Sequence, residues 1–274
     1  MKQWCSAQLN YFLLALAFFT RIPIPASTPY SAERLNHASR YFAAVGLIIG
    51  LICGGTLWIF TMLLPSSSAI VISMVFGLLL TGAFHEDGLA DMCDGLGGGL
   101  DRERKLVIMK DSRIGSYGAI TLIMALLLKF TLLQGLAGSG VSTAVLALLV
   151  MHPLSRALSG SLIFDMPYVR DEETGKSKPL ANNQQPSDLL CLLATAALLL
   201  LLLSPLAASL LILLLFAFRQ SFRRWLQGHI GGYTGDCLGA AQQLSELLGY
   251  LLFAALQYHQ LPLFSPLINT ITGG

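Results

Sequence analysis

Apolar residues run in long blocks separated by short polar stretches rich in glycine and proline. The blocks at 41–64, 66–84, 118–138, 141–163 and 238–258 each approach or exceed the roughly 20 residues that a helix needs to cross a bilayer. Two shorter blocks, 189–203 and 206–218, flank Ser204 and Pro205. They read as a hairpin of short helices, a single kinked helix being the rival. The first block, 4–19, is marginal and either spans or lies in the interface; its reading as a signal peptide lacks a small-residue cleavage site. The pattern therefore predicts an all-α, polytopic integral membrane bundle of about seven to eight transmembrane or interfacial helices, in one domain over 1–274. Only helices satisfy their backbone groups across lipid at this apolar density.

Composition sharpens this. Hydrophobic residues make up 54% and charged residues 12% of the chain, and the mean hydropathy is +0.67. Soluble domains carry about 25% charged residues, so a soluble enzyme, a disordered protein and a nucleic-acid binder are excluded. The five cysteines are scattered with no C-x-x-C pair, which indicates neither a disulfide framework nor a zinc site.

The charges are informative by position. Of the 17 basic residues, 14 lie in four alternate segments, 21–40, 85–117, 164–188 and 219–237. The third of these holds Arg170, Lys176 and Lys178. The positive-inside rule assigns all four segments to the cytoplasm. The acidic residues follow the same partition, Glu246 excepted. Polar groups gathered on one face point to surface chemistry, whereas a transporter places them near mid-membrane.

The stretch GAFHEDGLADMCDGLGGG at 82–99 carries Asp87, Asp91 and Asp94 at i, i+4 and i+7, one face of a helix. Three like charges at the end of an apolar helix repel strongly, and a divalent cation resolves the conflict. Oxygen ligands suit Mg²⁺, with Mn²⁺ the alternative, rather than zinc. Such Mg²⁺-holding faces suit phosphate or diphosphate substrates. The bland reading is a solvated acidic helix end. His85 is either a ligand or a hydrogen-bonding neighbour. Glu86 falls off the shared face and reads as a solvated loop carboxylate.

A second motif, MKDSRIGSYG at 109–118, sets Lys110 and Arg113 around Asp111 and Ser112. Cations beside a carboxylate suit phosphate binding and metal completion, or else anchor a helix start. A third, GGYTGD at 231–236, offers Asp236 as a helix N-cap, or Thr234 and the glycines as a cleft lining. Lys129, Arg156 and Glu246 lie within apolar spans, where charges are costly and are functional or paired. Arg156 reads as reaching a phosphate from within the bundle, and Lys129 as a partner of Glu246 or a ligand contact.

These motifs together resemble the adenosylcobinamide-GDP ribazoletransferase, or cobalamin synthase, family over most of the chain. The pattern His-x-Asp-Gly-Leu-Ala-Asp-x-x-Asp-Gly stands at 85–95, Lys-Asp-Ser-Arg-x-Gly at 110–115 and Gly-Gly-x-Thr-Gly-Asp at 231–236. An early Phe-x-Thr-Arg-x-Pro-x-Pro stands at 18–25, with Thr20 and Arg21. The resemblance implies a Mg²⁺-dependent enzyme of the bacterial inner membrane, with its site facing the cytoplasm. It joins adenosylcobinamide-GDP to α-ribazole or its 5′-phosphate and releases GMP. In that chemistry Asp87, Asp91, Asp94 and Asp111 hold metal, and Asp94 or Asp111 takes the hydroxyl proton. Arg21, His85, Lys110, Ser112, Arg113, Arg156, Thr234 and Asp236 contact substrate. A homo-oligomer stays open.

A CDP-alcohol phosphotransferase is the alternative, because Asp91, Asp94 and Gly95 fit the opening of its D-x-x-D-G-x-x-A-R pattern. Gly98 and Gly99 replace its Ala-Arg, and its second acidic pair is absent. A transporter is the third reading.

Overall fold

The structure, a computed structural model, describes residues 2–169, 184–266 and 268. Arg170, Lys176 and Lys178, which supported the third basic segment, lie outside the described residues. In chain order the helices are α1 (Lys2–Phe19), α2 (Ala32–Ala38), α3 (Phe42–Thr61), α4 (Ser66–Thr81), α5 (Phe84–Gly98) and α6 (Arg102–Ile108). They continue with α7 (Ser116–Ala137), α8 (Val141–Asp165), α9 (Pro186–Leu200), α10 (Pro205–Ile230) and α11 (Gly235–Tyr258). Among the described residues there is no β-strand beyond isolated bridges, so the all-α expectation holds.

Among the described residues four segments are long and apolar enough to cross a membrane, Ala32–Thr61, α7, α8 and α10; the bent pair α4 and α5 counts as a fifth only if it is one broken span. The block at 238–258 becomes α11, whose most apolar stretch is more polar than those of the spanning helices. Its Gln242, Gln243, Ser245 and Glu246 are buried inside the bundle, so it is an inner helix rather than a lipid-facing one. The break at Ser204 is real, yet the two helices do not form a closed hairpin. Helix α9 packs against α8 and α10 against α11. Helix α10 also runs twelve residues past the expected end at 218, because Phe222, Leu226 and Ile230 continue one buried stripe beneath the basic residues.

The centre of the bundle is the α3–α8 contact, and glycine makes it possible. A Cβ on Gly46 would lie 2.5 Å from the His152 carbonyl oxygen, one on Gly50 3.0 Å from that of Leu148, and one on Gly54 3.1 Å from Val145. Small residues at intervals of four let two membrane helices approach closely.

Between α4 and α5 the chain turns by 85°. Gly82 and Ala83 both have positive φ, 66° and 58°, which ends one helix and starts the next. Glycine adopts that region freely, whereas Ala83 is held there by its amide bond to the Leu78 carbonyl. Arg21 lies directly over Gly82, its Nε 2.5 Å from where a Cβ would stand, and its own amide donates to Leu80 at 2.8 Å.

Candidate active site around helix α5

Helix α5 has two faces. Asp87 is exposed and Asp91 half-buried on the outer one, while His85, Glu86, Gly88, Leu89 and Ala90 are buried on the inner one. Glu86 is therefore not a solvated loop carboxylate. It accepts a hydrogen bond from Gln243 of α11 at 2.9 Å, because the sharp turn at Gly82 sends the first turn of α5 into the bundle.

Asp94 departs from the expected trio. Its Oδ2 accepts from the Gly115 amide at 2.7 Å and its Oδ1 from the Gly118 amide at 2.8 Å. Helix α7 has no capping side chain of its own at Gly115, so α5 supplies one. Both glycines are required, since a Cβ on either would collide with the Asp94 carboxylate. This contact brings the 109–118 motif to the end of α5.

The 231–236 motif arrives on the other side. At the crossing of α5 and α11, Gly88 and Gly239 pack backbone to backbone, and a Cβ on Gly88 would lie 3.1 Å from the Asp236 Cα. Thr234, not Asp236, is the N-cap of α11. Its Oγ1 accepts from the Cys237 amide at 3.4 Å and donates to Asp236 at 3.3 Å. Thr234 is fully buried, so it builds the motif rather than lining a cleft. Tyr233 is held by amide bonds with Pro167 and Val169, each 3.0 Å, and burial pushes its phenol above the usual tyrosine range. Arg102 Nε donates to the Ile230 carbonyl at 2.8 Å, tying α6 to the end of α10.

Asp111 is locked in a fork with Arg113: Nε lies 3.0 and 3.1 Å from its two oxygens and Nη2 2.6 Å from one. That hydrogen bonding brings the Asp111 pKa down to about 2. Lys110, Ser112 and Arg113 are exposed beside it.

Arg156 and His85 stand apart from these groups. Arg156 is 2% exposed, on the inner side, and its Nη1 donates to the His152 carbonyl at 3.0 Å. Phe19 is sandwiched between them, with the guanidinium 6.0 Å and the His85 ring 5.3 Å from its centroid. Neither reaches the outer face of α5. Nearby, Glu246 is clamped by Lys129 at 2.7 Å, His152 at 3.2 Å, Gln242 at 2.6 Å and Tyr250 at 3.1 Å. Lys129 is thus a partner of Glu246. Polar groups inside the bundle extend beyond the Lys129, Arg156 and Glu246 that the sequence places within spans, to Glu86, His152 and Gln242.

Among the described residues no three His, Cys, Asp or Glu side chains are gathered to hold a metal ion. The four-carboxylate set is dispersed, since Asp94 serves two amides and Asp111 serves Arg113. Asp87, exposed, and Asp91, half-buried, stand one turn apart on the outer face of α5. Two carboxylates still fit Mg²⁺, which retains waters and is held through one or two carboxylates together with substrate phosphates.

The cobalamin-5-phosphate synthase family profile matches residues 11–254. A protein of Vibrio parahaemolyticus serotype O3:K6 named adenosylcobinamide-GDP ribazoletransferase is 55% identical over 248 residues, covering 90% of this chain and 93% of that one. Proteins of the same name from Vibrio vulnificus strain YJ016 and Shewanella frigidimarina are each 52% identical. They cover 93% and 90% of this chain, and 99% and 95% of their own lengths. No solved structure matches the chain.

Proposed function

The chain belongs to the cobalamin-5-phosphate synthase family, and from that membership we propose that it joins adenosylcobinamide-GDP to α-ribazole, or to its 5′-phosphate, and releases GMP. The observation that carries the reading is the convergence on α5. Arg21 lies at the helix's start, the 231–236 motif at its middle and the 109–118 motif at its end. Beside exposed Asp87 and half-buried Asp91 this draws together the motifs that carry Arg21, Lys110 and Arg113, cations suited to a diphosphate donor.

In the reaction the ribose hydroxyl oxygen bonds to the phosphorus that carries the cobinamide. The bond from that phosphorus to the bridging oxygen breaks, and GMP leaves with that oxygen. Negative charge spreads over the phosphoryl oxygens in the transition state. Arg21, Lys110 and Arg113, all exposed, supply opposing charge, and Asp111 orients Arg113. Ser112 and Asp236 offer hydrogen bonds to the hydroxyl-rich substrates. A carboxylate takes the hydroxyl proton. Asp94 accepts from two amides and Asp111 is paired with Arg113, so the exposed Asp87 is the better placed base. Magnesium, or manganese in its place, held by Asp87 and Asp91 would neutralise charge on the diphosphate.

The enzyme is proposed to sit in the bacterial inner membrane with this site toward the cytoplasm. In support, the end of the bundle that carries the site also carries basic residues of the segments 85–117 and 219–237, Arg102 beside the Ile230 carbonyl among them. Arg219 and Arg223 there pair with Asp165 at 2.8 and 3.2 Å. The test is GMP release by detergent-purified protein from adenosylcobinamide-GDP and α-ribazole. Release of CMP from CDP-linked lipid donors, with no GMP from the first pair, would overturn the reading.

A further inference from the structure

Behind α5 the bundle holds a partly open cavity, with charged side chains on a largely apolar wall, that the reaction does not use. Residues of α3, α4, α5, α7, α8 and α11 line it, among them Lys129, Arg156, Glu86 and Glu246. Four buried polar atoms of its lining residues have no partner among the described residues: His85 Nε2, Glu86 Oε2, His152 Nε2 and Arg156 Nε. Each belongs to a side chain more than nine-tenths buried. A buried polar group left unpaired costs about 1–3 kcal/mol, and four at one place point to a guest that pairs them.

Charge and shape identify the guest. Lys129 and Arg156 balance Glu86 and Glu246 in formal charge. An anion would face Glu86 Oε2 and a cation would face Arg156 Nε. A carboxylate oxygen only accepts, a guanidinium nitrogen only donates, and the imidazole nitrogens do either. Water satisfies all of them. The space open to water centres is about 20 Å³, against a need of about 10–15 Å³ for one buried water.

We propose that this cavity holds ordered water bonded to Glu86 and Arg156, which fastens the inner face of α5 to α8 and fixes the angle at which Asp87 and Asp91 are presented. Glu86 and Arg156 are then positioning residues rather than catalytic ones. The positioning role rests on the function proposed above; the water site does not.

The experiment uses the full chain in detergent, with Glu86→Leu, which keeps bulk but no polar atom, and Glu86→Gln, which keeps an acceptor oxygen. Hydrogen–deuterium exchange of peptides over 84–98 is expected to rise about tenfold in Glu86→Leu and to return to wild type in Glu86→Gln, with α3 unchanged, because exchange reports local opening. The kcat for GMP release is expected to fall with KM little changed, again restored by Glu86→Gln. Unchanged exchange in Glu86→Leu overturns the fastening role. If that variant does not fold, a high-resolution map of the wild type decides. Density within hydrogen-bond reach of both Glu86 Oε2 and Arg156 Nε supports the proposal. A protein donor on Glu86 Oε2, or a bromide signal in the cavity after halide soaking, overturns it. Altered exchange without GMP release by wild type would refute the transferase reading while leaving the water site standing.

Discussion

Asp94 Oδ1 accepts a hydrogen bond from the Gly118 amide at 2.8 Å, so the last turns of α5 and the first turn of α7 form one rigid corner. The carboxylate sits on the positive end of α7, where a negative charge is favourable by about 0.3–1 kcal/mol. Replacing Asp94 by Ala leaves two amides unpaired, each costing about 1–3 kcal/mol. Gly118→Ala places a methyl group against Asp94 and 2.8 Å from the Ala90 carbonyl oxygen, and overpacking of this kind costs about 1–3 kcal/mol. Both variants should lower the thermal unfolding midpoint and GMP release together. Loss of activity at full stability in Asp94→Ala would instead assign Asp94 to the chemistry.

The Lys129–Glu246 pair is buried, with side chains 11% and 1% exposed. Removing one partner leaves an uncompensated buried charge, at a cost of about 3–5 kcal/mol. Lys129→Met alone should lower folded yield and unfolding temperature sharply. The double variant Lys129→Met with Glu246→Gln should recover much of the loss, read by fluorescence-detected size exclusion and thermal unfolding.

Asp111 carries a pH signature. Its carboxyl titrates at about 2 against an ordinary 3.8, because Arg113 stabilises the charged form. A depressed carboxylate contributes stability above its unfolded pKa and loses it as pH falls through the folded one. The contribution of this pair is therefore intact at neutral pH and fades between about 4 and 2. Asp111→Asn should lower kcat/KM by loosening Arg113 without moving the pH profile near neutrality. A shift of the acid limb would give Asp111 the proton-transfer role.

Much of this was legible in the sequence. The lone charges Lys129 and Glu246 in apolar blocks read as partners, because lipid tolerates neither singly, and they pair at 2.7 Å; Arg156 reads as a phosphate ligand, and its burial on His152 was not legible. The glycines of the acidic motif serve close packing. Gly95 meets Met109 of the second motif, its Cβ position 2.9 Å from the Lys105 carbonyl oxygen. The inward turn of α5 was not legible. It depends on Ala83 at positive φ, which no propensity signals, and it alone moves Glu86 from solvent to the core. Nor was the fate of Asp94. Helical spacing puts it beside Asp91, but the amides that claim it come from a segment more than twenty residues away.

The α3–α8 seam gives a prediction free of the chemistry. Gly46 abuts the backbone of His152 and Pro153, which cannot yield as a flexible side chain would. Gly46→Leu should therefore prevent folding, measured as loss of the monodisperse detergent-solubilised peak, whereas leucine at Gly55, where a Cβ meets nothing within 4 Å, should be tolerated.

The measurement that bears most directly on the site is GMP release by wild type, Asp87→Asn and Asp91→Asn, with α-ribazole and Mg²⁺ each present or omitted. Release should require both additions. It should fall at least about 100-fold in each variant, the scale of losing one electrostatic contact to the transition state, with the unfolding midpoint unchanged. Release that persists in both variants, or proceeds without a divalent ion, would contradict the assignment of the outer face of α5 as the active site.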